Sequence, residues 1–128
     1  MKAPADRKYS ETHEWFLADE NVVTMGITQH AADLLTDITY VDLPEVGKSF
    51  AAGDAIGEVE SVKATSEIFT SVTGKVVEVN TALMDRPELV NEDAFDEGWM
   101  IRVKVDSPDQ LRTLLDAKEY KAFVRAAG

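Results

Sequence analysis

Val59-Glu60-Ser61-Val62-Lys63-Ala64-Thr65-Ser66-Glu67-Ile68 reads as the tip of a β-hairpin. The runs on either side, 55–60 and 66–72, mix small, apolar and acidic residues in the manner of strands with one face buried. A lysine at such a tip, with Glu58, Glu60 and Glu67 behind it, is presented to solvent rather than packed. That placement makes Lys63 a candidate point of covalent attachment. Composition alone equally fits an ordinary solvated lysine.

Working outward, period-two alternation puts Ala55, Gly57 and Val59 on one face of the first hairpin strand and Ile56, Glu58 and Glu60 on the other. Upstream, 22–27 and 38–43 are β-branched and aromatic enough to be strands, separated by a short helix that Thr28 caps and whose Ala31, Leu34 and Leu35 share a face, with Asp37 closing it. The 9–17 segment, with Thr12-His13-Glu14-Trp15, fits either a short strand or an irregular cover. Downstream, Thr73-Gly74 introduces a strand over 75–79, and 81–95 holds one or two short helical turns with Pro87 in a first turn. In the last strand Trp99, Ile101, Val103 and Val105 alternate with Met100, Arg102 and Lys104. Ser107, Pro108 and Gln110 then predict a capped helix carrying Leu111, Leu114 and Leu115, and Asp116 with Glu119 a second cap ahead of Tyr120, Phe123 and Val124. Strands at short, regular intervals argue for a sandwich or barrel with peripheral helices. Trp15, Tyr40, Phe50, Phe69, Trp99 and Phe123 are expected mainly as core or cleft lining.

The totals set bounds. The 128 residues suit one compact domain over 1–128, with the hairpin at about 54–72 and a C-terminal helical segment at about 107–126. The 13 Lys+Arg against 24 Asp+Glu leave a formal charge of −11, which disfavours phosphate backbones and anionic lipid, so neither nucleic acid nor membrane is an expected partner. No apolar run suits a membrane span, and the first residues lack a signal-peptide pattern, so a cytoplasmic protein is expected. With no cysteine, thiolate metal sites and cysteine nucleophiles are excluded, and any thiol chemistry must come from a prosthetic group or a partner.

An independent enzyme fits poorly. His13 and His30 are the only near-neutral bases, no Gly-x-Ser-x-Gly or phosphate-cradling glycine loop is present, and no His/Asp/Glu group has metal-ligand spacing. No catalytic residue and no metal site is assigned.

With the lysine hairpin between two β units, the chain resembles the lipoyl-domain family, and within it the H proteins of the glycine cleavage system. The likeness is carried by Tyr9, His13-Glu14-Trp15, Gly26-Ile27-Thr28, Val41-Asp42-Leu43-Pro44-Glu45-Val46-Gly47, Glu58-Val59-Glu60-Ser61-Val62-Lys63-Ala64, Ser71-Val72-Thr73-Gly74-Lys75-Val76, Glu78-Val79-Asn80, Pro87-Glu88-Leu89-Val90-Asn91 and Gly98-Trp99, in that order along nearly the whole chain. Biotin-accepting hairpins usually place methionine beside the lysine, whereas Val62 and Ala64 stand here.

The resemblance implies a mainly β, lipoyl-domain-like barrel-sandwich hybrid of two small antiparallel sheets, with short peripheral helices and a C-terminal helical segment. It implies lipoate, covalent on Lys63, and a non-catalytic carrier of the aminomethyl group of glycine. The implied partners are a pyridoxal-phosphate glycine decarboxylase, a tetrahydrofolate-dependent aminomethyltransferase and dihydrolipoamide dehydrogenase, together with the lipoate ligase or lipoyl/octanoyl transferase that loads the lysine. Glu58, Glu60 and Glu67 are candidates for recognition by that loading enzyme. Because the carried group hydrolyses in water, the arm is expected to fold back into a cleft. Acid placement and resemblance suggest Glu14 as acceptor there, with Thr12, Glu67 and His30 as further contacts. A lipoyl-relay protein, donating lipoyl groups to other enzymes, and an unmodified interaction module are the competing readings.

Overall fold

The alternation of 22–27 and 101–105 builds the centre of the larger sheet. In the computed structural model, which describes Met1–Ala127 and leaves Gly128 of the expected 1–128 span outside the described residues, these segments form β3 (Val22–Ile27) and β9 (Ile101–Val105) and pair antiparallel, Val23 against Val103 and Met25 against Ile101. Around them lie β1 (Lys8–Tyr9), β2 (Glu14–Asp19), β8 (Gly74–Val79) and β5 (Ser49–Phe50), giving the order β1-β2-β3-β9-β8-β5. A second sheet, β4-β6-β7, is made of β4 (Ile38–Asp42), β6 (Ala55–Ser61) and β7 (Thr65–Phe69). The architecture is thus mainly β, two antiparallel sheets facing one another without closing into a barrel.

Phe16, Val23 and Met25 from the large sheet meet Val41, Val59 and Ile68 from the small one in a shared apolar core. Each such buried side chain contributes about 2 kcal/mol relative to leaving it in water. A smaller cluster gathers Tyr9, Trp15, Phe95 and Tyr120 on the other side of β2. Trp15 and Phe16 are neighbours that point to opposite faces, and both are buried, so β2 lacks the polar alternation that would have separated a strand from a cover segment.

Helices fill the periphery. Thr28 caps α1 (Gln29–Leu35) by accepting from the Ala31 N–H, as expected, and Ala31 and Leu35 pack half-buried against the core beside the fully buried Ala32, whereas Leu34 is 56 % exposed. Helix α1 ends at Thr36, one residue before Asp37, and Thr36 adopts φ 62°. Two short helices, α2 (Ala82–Asp85) and α3 (Leu89–Glu92), follow β8. The region after β9 departs from expectation: Pro108–Thr113 is a 3-10 helix, and the Gln110 side chain accepts from the Thr73 N–H at 2.7 Å while its amide donates to the Ser107 carbonyl at 3.4 Å. Leu115 pairs with Tyr9 instead of continuing a helix. The second cap forms as read: Glu119 accepts from the Asp116 N–H at 3.0 Å and Asp116 from the Glu119 N–H at 2.7 Å, opening α4 (Ala117–Ala127).

The hairpin strand faces also need correcting. A register shift between Ala55 and Gly57 puts Ile56 on the core side together with Val59, leaving Ala55 exposed. Gly57 permits this, since a Cβ there would collide with the Asp42 carbonyl oxygen of β4. A second shift, between Ile38 and Tyr40, turns Tyr40 outward to 45 % exposure, against its expected core placement. Met100, read as facing away from Ile101, is buried too, because it lies before the strand begins and its N–H bonds to the Met25 carbonyl.

Candidate functional site

Strands β6 and β7 pair from Ala55↔Phe69 to Glu60↔Thr65, leaving Ser61–Ala64 as the turn. Ser61 donates its backbone N–H to the Ala64 carbonyl at 2.8 Å, and its hydroxyl oxygen accepts from the N–H groups of Lys63 at 3.1 Å and Ala64 at 3.0 Å. A serine side chain standing in for a backbone acceptor in this way fixes a tight turn. The Val62 N–H reaches across to the Asp37 carbonyl at 3.1 Å, tying the tip to the end of α1. Lys63 is exposed, Val62 is 70 % exposed, and among the described residues no carboxylate lies in ion-pair range of the Lys63 amine.

The three carboxylates behind the lysine are all exposed. Glu58 and Glu67 sit directly opposite one another, Asp42 is the next residue across from Glu58, and Glu60 stands between Tyr40 and Thr65. Like charges in cross-strand register disfavour the sheet slightly.

Glu14 is placed very differently. It is 1 % exposed, at the start of β2. Its Oε1 accepts from the hydroxyls of Ser10, at 2.7 Å, and Thr12, while its Oε2 accepts from the Phe69 N–H at 3.2 Å. Burial pushes its carboxyl above the usual range, opposed by those hydrogen bonds. Glu14 and Thr12 are therefore brought together, and both are joined to the end of β7. Glu67, two residues before Phe69, is exposed and has no side-chain hydrogen bond to Glu14 among the described residues.

His30 belongs to an adjoining group. Its ring centroid is 5.0 Å from that of His13, whose Nδ1 is 2.8 Å from the Tyr120 hydroxyl, itself 2.8 Å from the Thr28 hydroxyl. Burial, and secondarily His30, hold His13 below the usual imidazole range, while burial raises the Tyr120 phenol. Beside Thr12 opens a surface cleft of about 440 Å³ lined by Tyr9, Ser10, Thr12, Ser71, Leu114 and Leu115.

Sequence reasoning missed Ser10, Ser61 and Tyr120. Only Ser61 had a local signal, its position two residues before the lysine in a turn. The Ser10 and Tyr120 contacts depend on a folded β2 and α4. Trp15 and Phe123 lie as expected, Trp15 in the smaller cluster and Phe123 beside His13 at 6.2 Å.

Among the described residues no group of three or more metal-ligating side chains occurs, and no helix is long and apolar enough to cross a membrane.

The sequence model of the Glycine cleavage H-protein family matches residues 7–127. A glycine cleavage system H protein of Psychrobacter sp. (strain PRwf-1) is 49 % identical over 120 residues, 93 % of this chain and 95 % of that protein. The mitochondrial glycine cleavage system H protein of Pisum sativum is 48 % identical over 116 residues, 91 % of this chain and 70 % of that protein. In structure, the chain is similar to the glycine cleavage system H protein of Mycobacterium marinum, with a TM-score of 0.87 at 37 % identity over 94 % of this chain and 97 % of that one. From the lysine-tipped hairpin to α4, the matched region takes in every element described, and the chain belongs to the glycine cleavage H-protein family.

Proposed function

We propose that this chain is the lipoyl carrier of a glycine cleavage system, a single carrier domain over 1–128 loaded on Lys63. The observation that carries the reading is the Ser61-fixed tip, which holds an exposed lysine with no carboxylate in ion-pair range among the described residues. Lipoate fits there: amide formation needs an accessible amine and removes its charge, and among the described residues no ion pair at Lys63 is broken by that loss. The bound group supplies a dithiolane whose sulfurs accept and release the aminomethyl group, the thiol chemistry a cysteine-free chain lacks. Catalysis then belongs to partners: a pyridoxal-phosphate glycine decarboxylase, a tetrahydrofolate-dependent aminomethyltransferase and dihydrolipoamide dehydrogenase. A lipoate ligase or lipoyl/octanoyl transferase loads the lysine, meeting Glu58, Glu60 and Glu67 on the exposed hairpin face. The carrier works in the cytoplasm.

The chain's own residues supply orientation and shelter. Lysine plus lipoate spans about 15 Å from Cα at ordinary bond lengths. Along a strand, Glu67 is about 13 Å from Lys63 and Phe69 about 20 Å. Glu67 is therefore the first of the proposed contacts along β7 and lies within the arm's span, while Phe69, to which Glu14 is hydrogen-bonded, lies about 5 Å beyond it, a gap that the carried aminomethyl group and the Glu14 and Thr12 side chains would have to close. The Glu14 carboxylate has about four acceptor positions, three of them used by Ser10, Thr12 and Phe69, which leaves one for a cationic amine. His30 stands beside His13, the neighbour of Glu14 in the chain.

Intact mass tests attachment: the native protein should carry a lipoyl increment located on the Lys63 peptide and absent from Lys63→Ala. A native protein that remains unmodified beside an active ligase favours the interaction-module reading instead. Reconstitution with the three glycine-cleaving enzymes should yield transfer of the one-carbon unit, whereas donation of lipoyl groups to other enzymes without such transfer would identify a relay protein. For shelter, Glu14→Gln should speed loss of the carried group as formaldehyde, and an unchanged rate would remove Glu14's charge from the proposal.

A further inference from the structure

The two outer faces of the sandwich differ in charge. On the small sheet the outward rows are Asp42–Glu58–Glu67 and Tyr40–Glu60–Thr65. On the large sheet, Ser49, Lys75 and Lys104 stand in one cross-strand row across β5, β8 and β9. Lys48 adjoins that row, with its amine 5.3 Å from the centre of the Phe50 ring. A cleft of about 320 Å³ opens here, with Phe50 and Val105 as its apolar lining and Lys75, Lys104 and a single acid, Asp106, at its rim. Lys48, Lys75 and Lys104 are exposed, and among the described residues none lies within ion-pair distance of a carboxylate. Two lysines in direct cross-strand register repel each other, an unfavourable arrangement in a chain whose 24 acids could have supplied partners.

We propose that this lysine cleft docks an acidic, extended segment of a partner protein, whose carboxylates pair with Lys48, Lys75 and Lys104 while an apolar side chain rests on Phe50. Charge complementarity selects the occupant. Facing sheets lie about 10 Å apart and the carboxylate rows project outward from the far one, so their path to the cleft through solvent exceeds the screening length of about 8 Å and their repulsion is largely screened. The cleft and the Lys63 hairpin belong to different sheets, so a segment bound here leaves the tip exposed. The inference does not depend on lipoylation of Lys63.

A fluorescently labelled hexaglutamate peptide bearing one phenylalanine is the probe, titrated against the full chain by anisotropy at physiological salt. Saturable binding is expected, weakened about tenfold or more in Lys75→Glu/Lys104→Glu and by a smaller factor in Lys75→Gln/Lys104→Gln. It should also fall as salt is raised, and be unmoved in Lys118→Glu/Lys121→Glu, which changes lysines on α4. Thermal melting of each variant establishes that it is folded, and the glutamine pair keeps the test decisive should the charge reversal unfold. The proposal is overturned by absence of peptide binding, by equal binding to the cleft and α4 variants, or by a cleft that takes inorganic polyphosphate while ignoring the peptide.

Discussion

The carboxylate of Glu14 accepts a hydrogen bond from the backbone N–H of Phe69 at 3.2 Å, across 55 residues of chain. One buried side chain thereby joins the first long strand of the large sheet to the return strand of the lysine hairpin. Ser10 and Thr12 complete its coordination by hydroxyl groups. The carboxyl is thus both a structural tie and the acid proposed to meet the arm.

Removing it separates these roles. Glu14→Ala is expected to cost about 2 kcal/mol by orphaning the Phe69 N–H and the serine and threonine hydroxyls. Glu14→Gln should cost less, because the hydroxyls can reverse their donation. Since burial raises the carboxyl above 4.5, the folded state holds its proton to higher pH than the unfolded one. Glu14 therefore contributes stability that is present below pH 4.5 and declines as pH rises through the folded value. Urea denaturation between pH 4 and 7 should show this decline in the native chain and not in Glu14→Gln.

His13 works in the opposite sense. Its folded value lies below 6.5, so its contribution is complete above that pH and is lost as pH falls through the folded value. His13→Gln should flatten that acid-side loss in melting temperature. Tyr120→Phe removes the hydroxyl between His13 and Thr28 and is expected to cost about 1 kcal/mol.

Ser61→Ala should leave global stability within about 1 kcal/mol, since the turn is exposed. Its effect belongs to the tip: faster amide exchange at Lys63 and Ala64, and slower loading of Lys63 by the modifying enzyme. Exchange mass spectrometry and a time course of intact mass check the two together.

Gly57→Ala should be the most damaging of the small substitutions, at about 3 kcal/mol, because the added methyl meets backbone and not a movable side chain. Denaturant midpoint and the yield of modified protein should fall in parallel.

Features set by neighbours in the chain could be read directly from it. The hairpin, the Thr28 cap and the reciprocal Asp116–Glu119 box depend on residues a few positions apart, and each occurs where expected. Features set by another strand could not. The bulge that turns Ile56 inward arises in the pairing with β7, Gln110 reaches from its turn to Thr73, and Tyr120 meets His13 from 107 positions away. Around the candidate site, the exposed lysine was legible for the first reason. The depth of Glu14 was not, because Ser10, Thr12 and Phe69 bury it only after two sheets have come together.

The bond from Val62 to Asp37 anchors the loop that bears Lys63. A cargo on that lysine would draw its freedom from the torsions of the side chain and its appended acid, and very little from the polypeptide. The volume it searches is therefore a cap of fixed radius centred on a stationary pivot. Whenever it is released from the contacts proposed above, its local concentration within that cap is set by arm length, and a partner must bring its own catalytic entrance to the pivot.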